Sequence, residues 1–166
     1  MAGKKKVLLL YITERSGHHS AALAIKKAIF LKDPDCVCLC VNAFKYIFPF
    51  AERVIHLMYM SVIKRVPIIW ESMYDNQKLF VKSENIKNWV HNIAVKKLKR
   101  LLDDFQPDAI VCTQAFPCGI VADYKRAYFS EIPLIACLTD FSPHSFWVYD
   151  AVEHYIVPCD KSRDLL

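Results

Sequence analysis

Residues 7–32 read VLLLYITERSGHHSAALAIKKAIFLK, and the succession of residue types in this stretch decides the fold. Val7 to Thr13 is a continuous apolar run behind Lys4, Lys5 and Lys6. That is the pattern of a central strand in a parallel sheet covered on both faces. Glu14 to His19 is polar, contains Gly17 and predicts a loop. Ser20 to Lys32 places Ala21, Ala22, Ile25, Ala28 and Ile29 at helical spacing, with Lys26, Lys27 and Lys32 elsewhere, and Pro34 stops it. Strand, short loop and helix form the first half of a βαβ unit.

The pattern continues outward. Cys36 to Ala43 predicts a second strand, with Cys36, Cys38 and Cys40 on one side of it. Residues 44–70 are dense in aromatic and aliphatic side chains and predict one or two helices broken near Pro49 and Pro67; 71–83 reads as irregular. Glu84 to Phe105 predicts a long amphipathic helix with cations toward its C-terminal half, where they suit the helix dipole. Strands follow at Ala109–Thr113, Pro133–Thr139 and His154–Val157. A helix over Pro117–Tyr128, with proline in its first turn, fills the gap, and Asp160 starts another. The fold class is α/β: one Rossmann-like domain over 1–166 with a doubly wound, mainly parallel sheet.

Composition removes several alternatives. Apolar residues make up 54% of the 166, enough for a globular core. Only Gly3, Gly17 and Gly119 are glycines, where average usage gives about twelve. A G-x-G-x-x-G loop and a Walker A loop are excluded, and Gly17 and Gly119 are expected where only glycine fits. The net charge is +5, but residues 1–65 hold eleven basic and four acidic side chains while 107–166 hold four and eight. A basic first part suits an anionic partner. Seven cysteines without Cys-x-x-Cys or a signal peptide predict reduced thiols in a cytoplasmic protein. The uncharged stretches 54–63 and 109–122 are shorter than the roughly 18–20 residues of a membrane span, so membrane contact is expected to be peripheral.

In open parallel sheets, ligands bind beyond the carboxyl ends of the strands. The loops there are 14–19, 114–117 and 140–147. Ser16-Gly17-His18-His19 offers backbone N–H groups and an imidazole to an anion, or else is a turn with two surface histidines. Asp140 and His144 form either an Asp-oriented base or a capped turn. His18, His19, Asp140 and His144 are acceptable zinc-ligand types, but no metal-site spacing supports a metal. Cys112 and Cys137 read as core; Cys118, near a helix start, reads as packing or as a thiol of lowered pKa. Lys45, Arg53, Lys64 and Arg65 beside aromatics suit either sheet cover or an anionic membrane interface. No nucleic-acid-binding motif is present, and no nucleic-acid partner is expected.

Three segments together resemble one family. Ser16-Gly17-His18-His19-Ser20-Ala21-Ala22-Leu23-Ala24-Ile25 is similar to the S-x-G-H-x-x-A-A-x-A-I opening of the monogalactosyldiacylglycerol synthase and processive diacylglycerol glucosyltransferase family. Asp108 through Pro117 resembles its strand ending in T-x-x-F-P, and Thr139 through Trp147 its T-D-x-x-x-H-x-x-W segment. Tyr155-Ile156-Val157-Pro158 resembles the strand after that. Arg15 and Ser16 depart from the pattern, since many members carry extra glycines there.

The resemblance implies the N-terminal, acceptor-binding half of a GT-B glycosyltransferase, with a donor-binding C-terminal domain expected beyond residue 166. It implies transfer of a hexose from a UDP-sugar to diacylglycerol, without a metal or other cofactor, at an anionic membrane surface. His18 matches the histidine proposed as general base. Gly17, His19, Phe116, Pro117, Asp140, His144 and Trp147 fall in segments facing the acceptor cleft, and Lys45, Arg53, Lys64 and Arg65 in the membrane-docking region. Two other readings stand beside it: a non-catalytic membrane- or ligand-binding domain, and a metal-dependent hydrolase built on the His/Asp loops.

Overall fold

The computed structural model describes residues 3–49, 84–141 and 145–166. Arg53, Lys64, Arg65 and His144 lie outside the described residues, as do the helix break expected near Pro67 and the segment 71–83. The chain opens with strand β1 (Lys6–Tyr11), helix α1 (Gly17–Lys32) and strand β2 (Val37–Asn42). A one-turn helix α2 (Ala43–Ile47) follows and ends two residues before Pro49, because a residue preceding proline is pushed out of helical geometry. After the undescribed stretch come helix α3 (Glu84–Phe105), strand β3 (Ala109–Cys112), helix α4 (Ala115–Tyr128) and strand β4 (Leu134–Cys137). A 3-10 turn (Ser145–Trp147), strand β5 (His154–Ile156) and a short helix α5 (Asp160–Arg163) complete it.

The five strands lie in the order β2-β1-β3-β4-β5, and every pairing is parallel. After β1 the chain first adds β2 on one side, then returns to add β3 on the other. The order therefore reverses between β1 and β3, and the loops leaving their carboxyl ends open a crevice at that point. Register places Leu9 between Cys40 and Val111. The Leu8-Leu9-Leu10 run is fully buried because alternate side chains enter opposite layers.

Leu8, Leu10, Ile110, Cys112, Leu134 and Ala136 meet α3 and α4 through side chains such as Leu98, Leu102 and Val121. Leu9, Tyr11 and Val111 form the other layer with Ala22, Ile25, Cys38 and Cys40. The sheet is thus wound with helices on both faces. The layer under α1 is thin. Of its expected inward residues only Ala22 is fully buried; Ala21, Ile25 and Ile29 are half-buried and Ala28 is exposed. All seven cysteines are free, and those of β2 pack as small apolar groups.

One polar staple ties the far side of the sheet. Lys125, 8% exposed, donates to the Ile132 carbonyl at 2.7 Å and pairs with Glu153. Glu153 accepts the Leu134 N–H at 2.6 Å. Burial alone would push the Glu153 carboxyl up; the Lys125 ammonium and the Leu134 N–H outweigh it and hold it below the ordinary 4.5. Asp108 is likewise held below its ordinary 3.8, first by the Lys6 backbone N–H at 2.7 Å and then by the Lys5 and Lys6 ammonium groups. A carboxyl lowered in the folded state gives stability that is full above its ordinary value and lost as pH falls through the folded one. Urea midpoints should therefore hold steady from pH 7 to about 5 and drop below about pH 4. A midpoint unchanged at pH 3.5 would contradict the staple's contribution.

Candidate functional site

The site is built where β1, β3 and β4 end. After β1 the chain turns sharply through Ile12 to Ser16. Thr13 and Arg15 both adopt φ of 60°, a left-handed conformation that costs non-glycine residues about 1–3 kcal/mol each. Local hydrogen bonds hold them there. The Ser16 hydroxyl donates to the Thr13 carbonyl at 2.6 Å, and the Arg15 N–H donates to His19 Nδ1 at 3.2 Å. Ser16 also caps α1, its oxygen accepting the His19 N–H at 3.2 Å. The helix therefore starts at Gly17, and His18 and His19 belong to its first turn rather than to the loop.

This correction explains where the two rings go. His19 stacks on Tyr11 with centroids 4.4 Å apart and planes 17° from parallel. With Nδ1 occupied by the Arg15 N–H, it braces the turn. His18 reaches across the crevice. Its Nδ1 lies 2.9 Å from the Thr113 carbonyl oxygen at the end of β3 and 2.8 Å from Thr139 Oγ1 beyond β4. The Thr113 hydroxyl in turn donates to the His18 carbonyl at 2.8 Å. A carbonyl oxygen only accepts, so Nδ1 carries the ring proton and Nε2 presents a lone pair. Among the described residues, Nε2 has no hydrogen-bond partner.

Other expected residues divide. Phe116 and Pro117 stand in the first turn of α4, whose N-cap is Gln114: its Oε1 accepts the Phe116 N–H at 2.6 Å. Phe116 is partly exposed and touches Phe44 of α2, with centroids 5.7 Å apart, while Pro117 is buried. Asp140 is half-buried and, among the described residues, bonds to neither His18 nor His19; its neighbour Thr139 makes the contact instead. Trp147, expected in the cleft, is 0% exposed and belongs to the core between the sheet and α4. Its indole N–H has no partner among the described residues. Lys45 pairs with Glu14 at 3.4 Å, both side chains being more than half exposed.

The two late glycines part company. Gly17 has ordinary backbone angles and open space where a Cβ would stand, so the demand for unusual geometry falls on Thr13 and Arg15 instead. Gly119 is tighter: a Cβ there would meet the Tyr149 hydroxyl oxygen at 2.5 Å, so any larger residue would have to displace that ring. That close approach closes one side of a cavity of about 350 Å³ bounded by Gln114, Phe116, Ile120, Phe146 and Tyr149. Cys118 is fully buried beside Cys112, whose thiol is pushed up by burial and by that neighbour. Both act as packing groups. Among the described residues, no group of three or more His, Cys, Asp or Glu is placed to hold a metal ion. No helix among them is long and apolar enough to cross a membrane.

Thr113 and Thr139 join the site through contacts 95 and 121 residues distant from His18, which no local sequence pattern displays. The signal the sequence does hold is that each ends an apolar strand with a hydroxyl, on the side of the sheet where the crevice opens.

Comparison with known proteins adds a family. The chain matches the family model described as monogalactosyldiacylglycerol (MGDG) synthase over residues 18–165. Among curated proteins, a processive diacylglycerol beta-glucosyltransferase of Bacillus cereus (strain B4264) is 28% identical over 167 residues, covering 100% of this chain and 42% of that protein. The proteins of the same description from Bacillus cytotoxicus (strain DSM 22905 / CIP 110041 / 391-98 / NVH 391-98) and Bacillus mycoides (strain KBAB4) are 27% and 26% identical, with the same coverage. The chain thus spans 42% of the length of these relatives.

Proposed function

The chain belongs to the monogalactosyldiacylglycerol synthase family, and on that premise we propose that it forms the acceptor-side domain of a glycosyltransferase moving a hexose from a UDP-sugar to diacylglycerol. The named relatives are diacylglycerol glucosyltransferases, and the parallel α/β sheet is consistent with the N-terminal half of a GT-B enzyme. The observation that carries the reading is His18. Its Nδ1 proton is committed to a carbonyl at the point where the sheet order reverses, which leaves a basic nitrogen at the mouth of the crevice.

In this reading the acceptor hydroxyl oxygen attacks the anomeric carbon of the donor. His18 Nε2 takes the hydroxyl proton, the bond from the anomeric carbon to the phosphate oxygen breaks, and the electron pair leaves with UDP. The Thr113 carbonyl, already bonded to Nδ1–H, stabilises the imidazolium as it forms. Phe116, Ile120 and Phe146 give the cavity within a few residues of Thr113 an apolar part beside the polar Gln114 and Asp123, a mixed lining suited to the glycerol end of a lipid acceptor. Docking at an anionic membrane surface is supported by the exposed rings of Phe141 and Phe146 within the crevice loop 140–147.

The test is a transfer assay. Purified full-length protein, given radiolabelled UDP-glucose or UDP-galactose and diacylglycerol in anionic vesicles, should form labelled glycosyl-diacylglycerol. Vesicle binding without turnover of either sugar nucleotide overturns the proposal in favour of a non-catalytic lipid-binding domain.

A further inference from the structure

Three elements converge on one ring nitrogen. His18 comes from the first turn of α1, the Thr113 carbonyl from the end of β3, and Thr139 Oγ1 from the segment after β4. A single hydrogen bond would leave the imidazole free to swing about it. Two oxygens, at 2.9 and 2.8 Å, flanking one N–H fix the plane of the ring as well as its tautomer. The carboxylate that would ordinarily do this, Asp140, stands one residue away and, among the described residues, bonds to neither His18 nor His19.

We infer that Thr139 is the positioning residue for His18: its hydroxyl oxygen, shared with the Thr113 carbonyl, holds the ring so that Nε2 faces the crevice. The inference rests on the reading of His18 as general base and deepens it. The choice of an uncharged partner has chemical content. A carboxylate against Nδ1 favours the imidazolium and makes the ring slower to release the proton it has taken. A hydroxyl and a carbonyl fix the geometry without adding charge. Both still strengthen when the ring becomes cationic, because hydrogen bonds from an ionised donor are shorter and stronger. The carbonyl belongs to the backbone, so Thr139 is the part of this clamp that a side-chain substitution can alter.

The experiment uses full-length protein with three variants at this position. Thr139→Val keeps the shape and removes the oxygen; kcat should fall about tenfold with KM for the sugar nucleotide unchanged. Thr139→Ser restores the hydroxyl and should recover most of the loss. Thr139→Asp puts a carboxylate against the ring, and the His18 imidazole, followed by NMR titration, should move up by about one pKa unit or more. An unmoved titration in Thr139→Asp shows that position 139 does not reach the ring and overturns the inference. A moved titration with full kcat in Thr139→Val shows contact without positioning and overturns it too. Full activity in a variant lacking the His18 ring removes the general-base reading instead, while the titration still reports the contact.

Discussion

Under the proposed function, replacing His18 with alanine is expected to remove most turnover and leave the fold standing. The expected loss in kcat of the full-length protein is about 10²–10⁴-fold, the usual worth of a positioned general base. The stability change is small by comparison. His18 is half-buried, and its loss deprives the Thr113 carbonyl and Thr139 of a partner, worth about 1–2 kcal/mol. Far-UV circular dichroism should be unchanged, with Tm lower by only a few degrees. His19→Ala is the matched comparison. It loses the stack on Tyr11 and the bond from Arg15, so it should lower stability and retain most of kcat. Wild-type turnover in the His18 variant would falsify the assignment of the base.

Trp147→Ala has the opposite signature. The side chain is 0% exposed and is among the largest fully buried groups of the described core. Truncating it to alanine is expected to cost about 3–5 kcal/mol in lost burial and cavity formation. For a domain of this size that lowers Tm by about 6–20 °C. Trp147→Phe should cost much less, since it keeps an aromatic ring in place and removes an indole N–H that has no partner among the described residues. Had Trp147 faced an acceptor, the alanine variant would show a raised KM at unchanged Tm. Thermal melts and lipid titration of the same protein separate the two.

That contrast shows what kind of information the amino-acid order carries. The central strands were legible because Leu8 to Leu10 and Ile110 to Cys112 are apolar without a break, a pattern that suits strands covered on both faces, and the helical periodicity that follows each run selects a parallel sheet. Helix α3 runs from Glu84 to Phe105 as its periodicity predicts. The sequence pattern alone puts the starts of α1 and α4 three and two residues late, at Ser20 and Pro117 instead of Gly17 and Ala115. Ser16 and Gln114 act as caps through side-chain bonds that depend on the turn before them. His18 was legible as a candidate from its place after the first strand. Its partners were not, because the meeting of positions 18, 113 and 139 exists only once β3 and β4 lie on the same side of β1. Trp147 sits in a loop rich in both polar and aromatic residues, where the pattern does not separate the buried ring from the exposed Phe141 and Phe146. Gly17 looked like the residue needed for an unusual turn. Hydrogen bonds from Ser16 and to His19 instead let Thr13 and Arg15 make it.

The clamp on His18 contains no ionised partner, and this sets how the site responds to its surroundings. Mobile ions weaken attractions between exposed charges over about 8–10 Å at physiological ionic strength. The Lys45–Glu14 pair, more than half exposed on both sides, loosens as salt rises. The imidazole is held between two uncharged oxygens, the Thr113 carbonyl and Thr139 Oγ1, which offer those ions nothing to screen, so its geometry is expected to be the same in dilute buffer and in concentrated salt. If the proposed function holds, the nitrogen assigned as base should keep its aim above an anionic surface, where counterion density changes with lipid composition, while the charged contacts around it come and go.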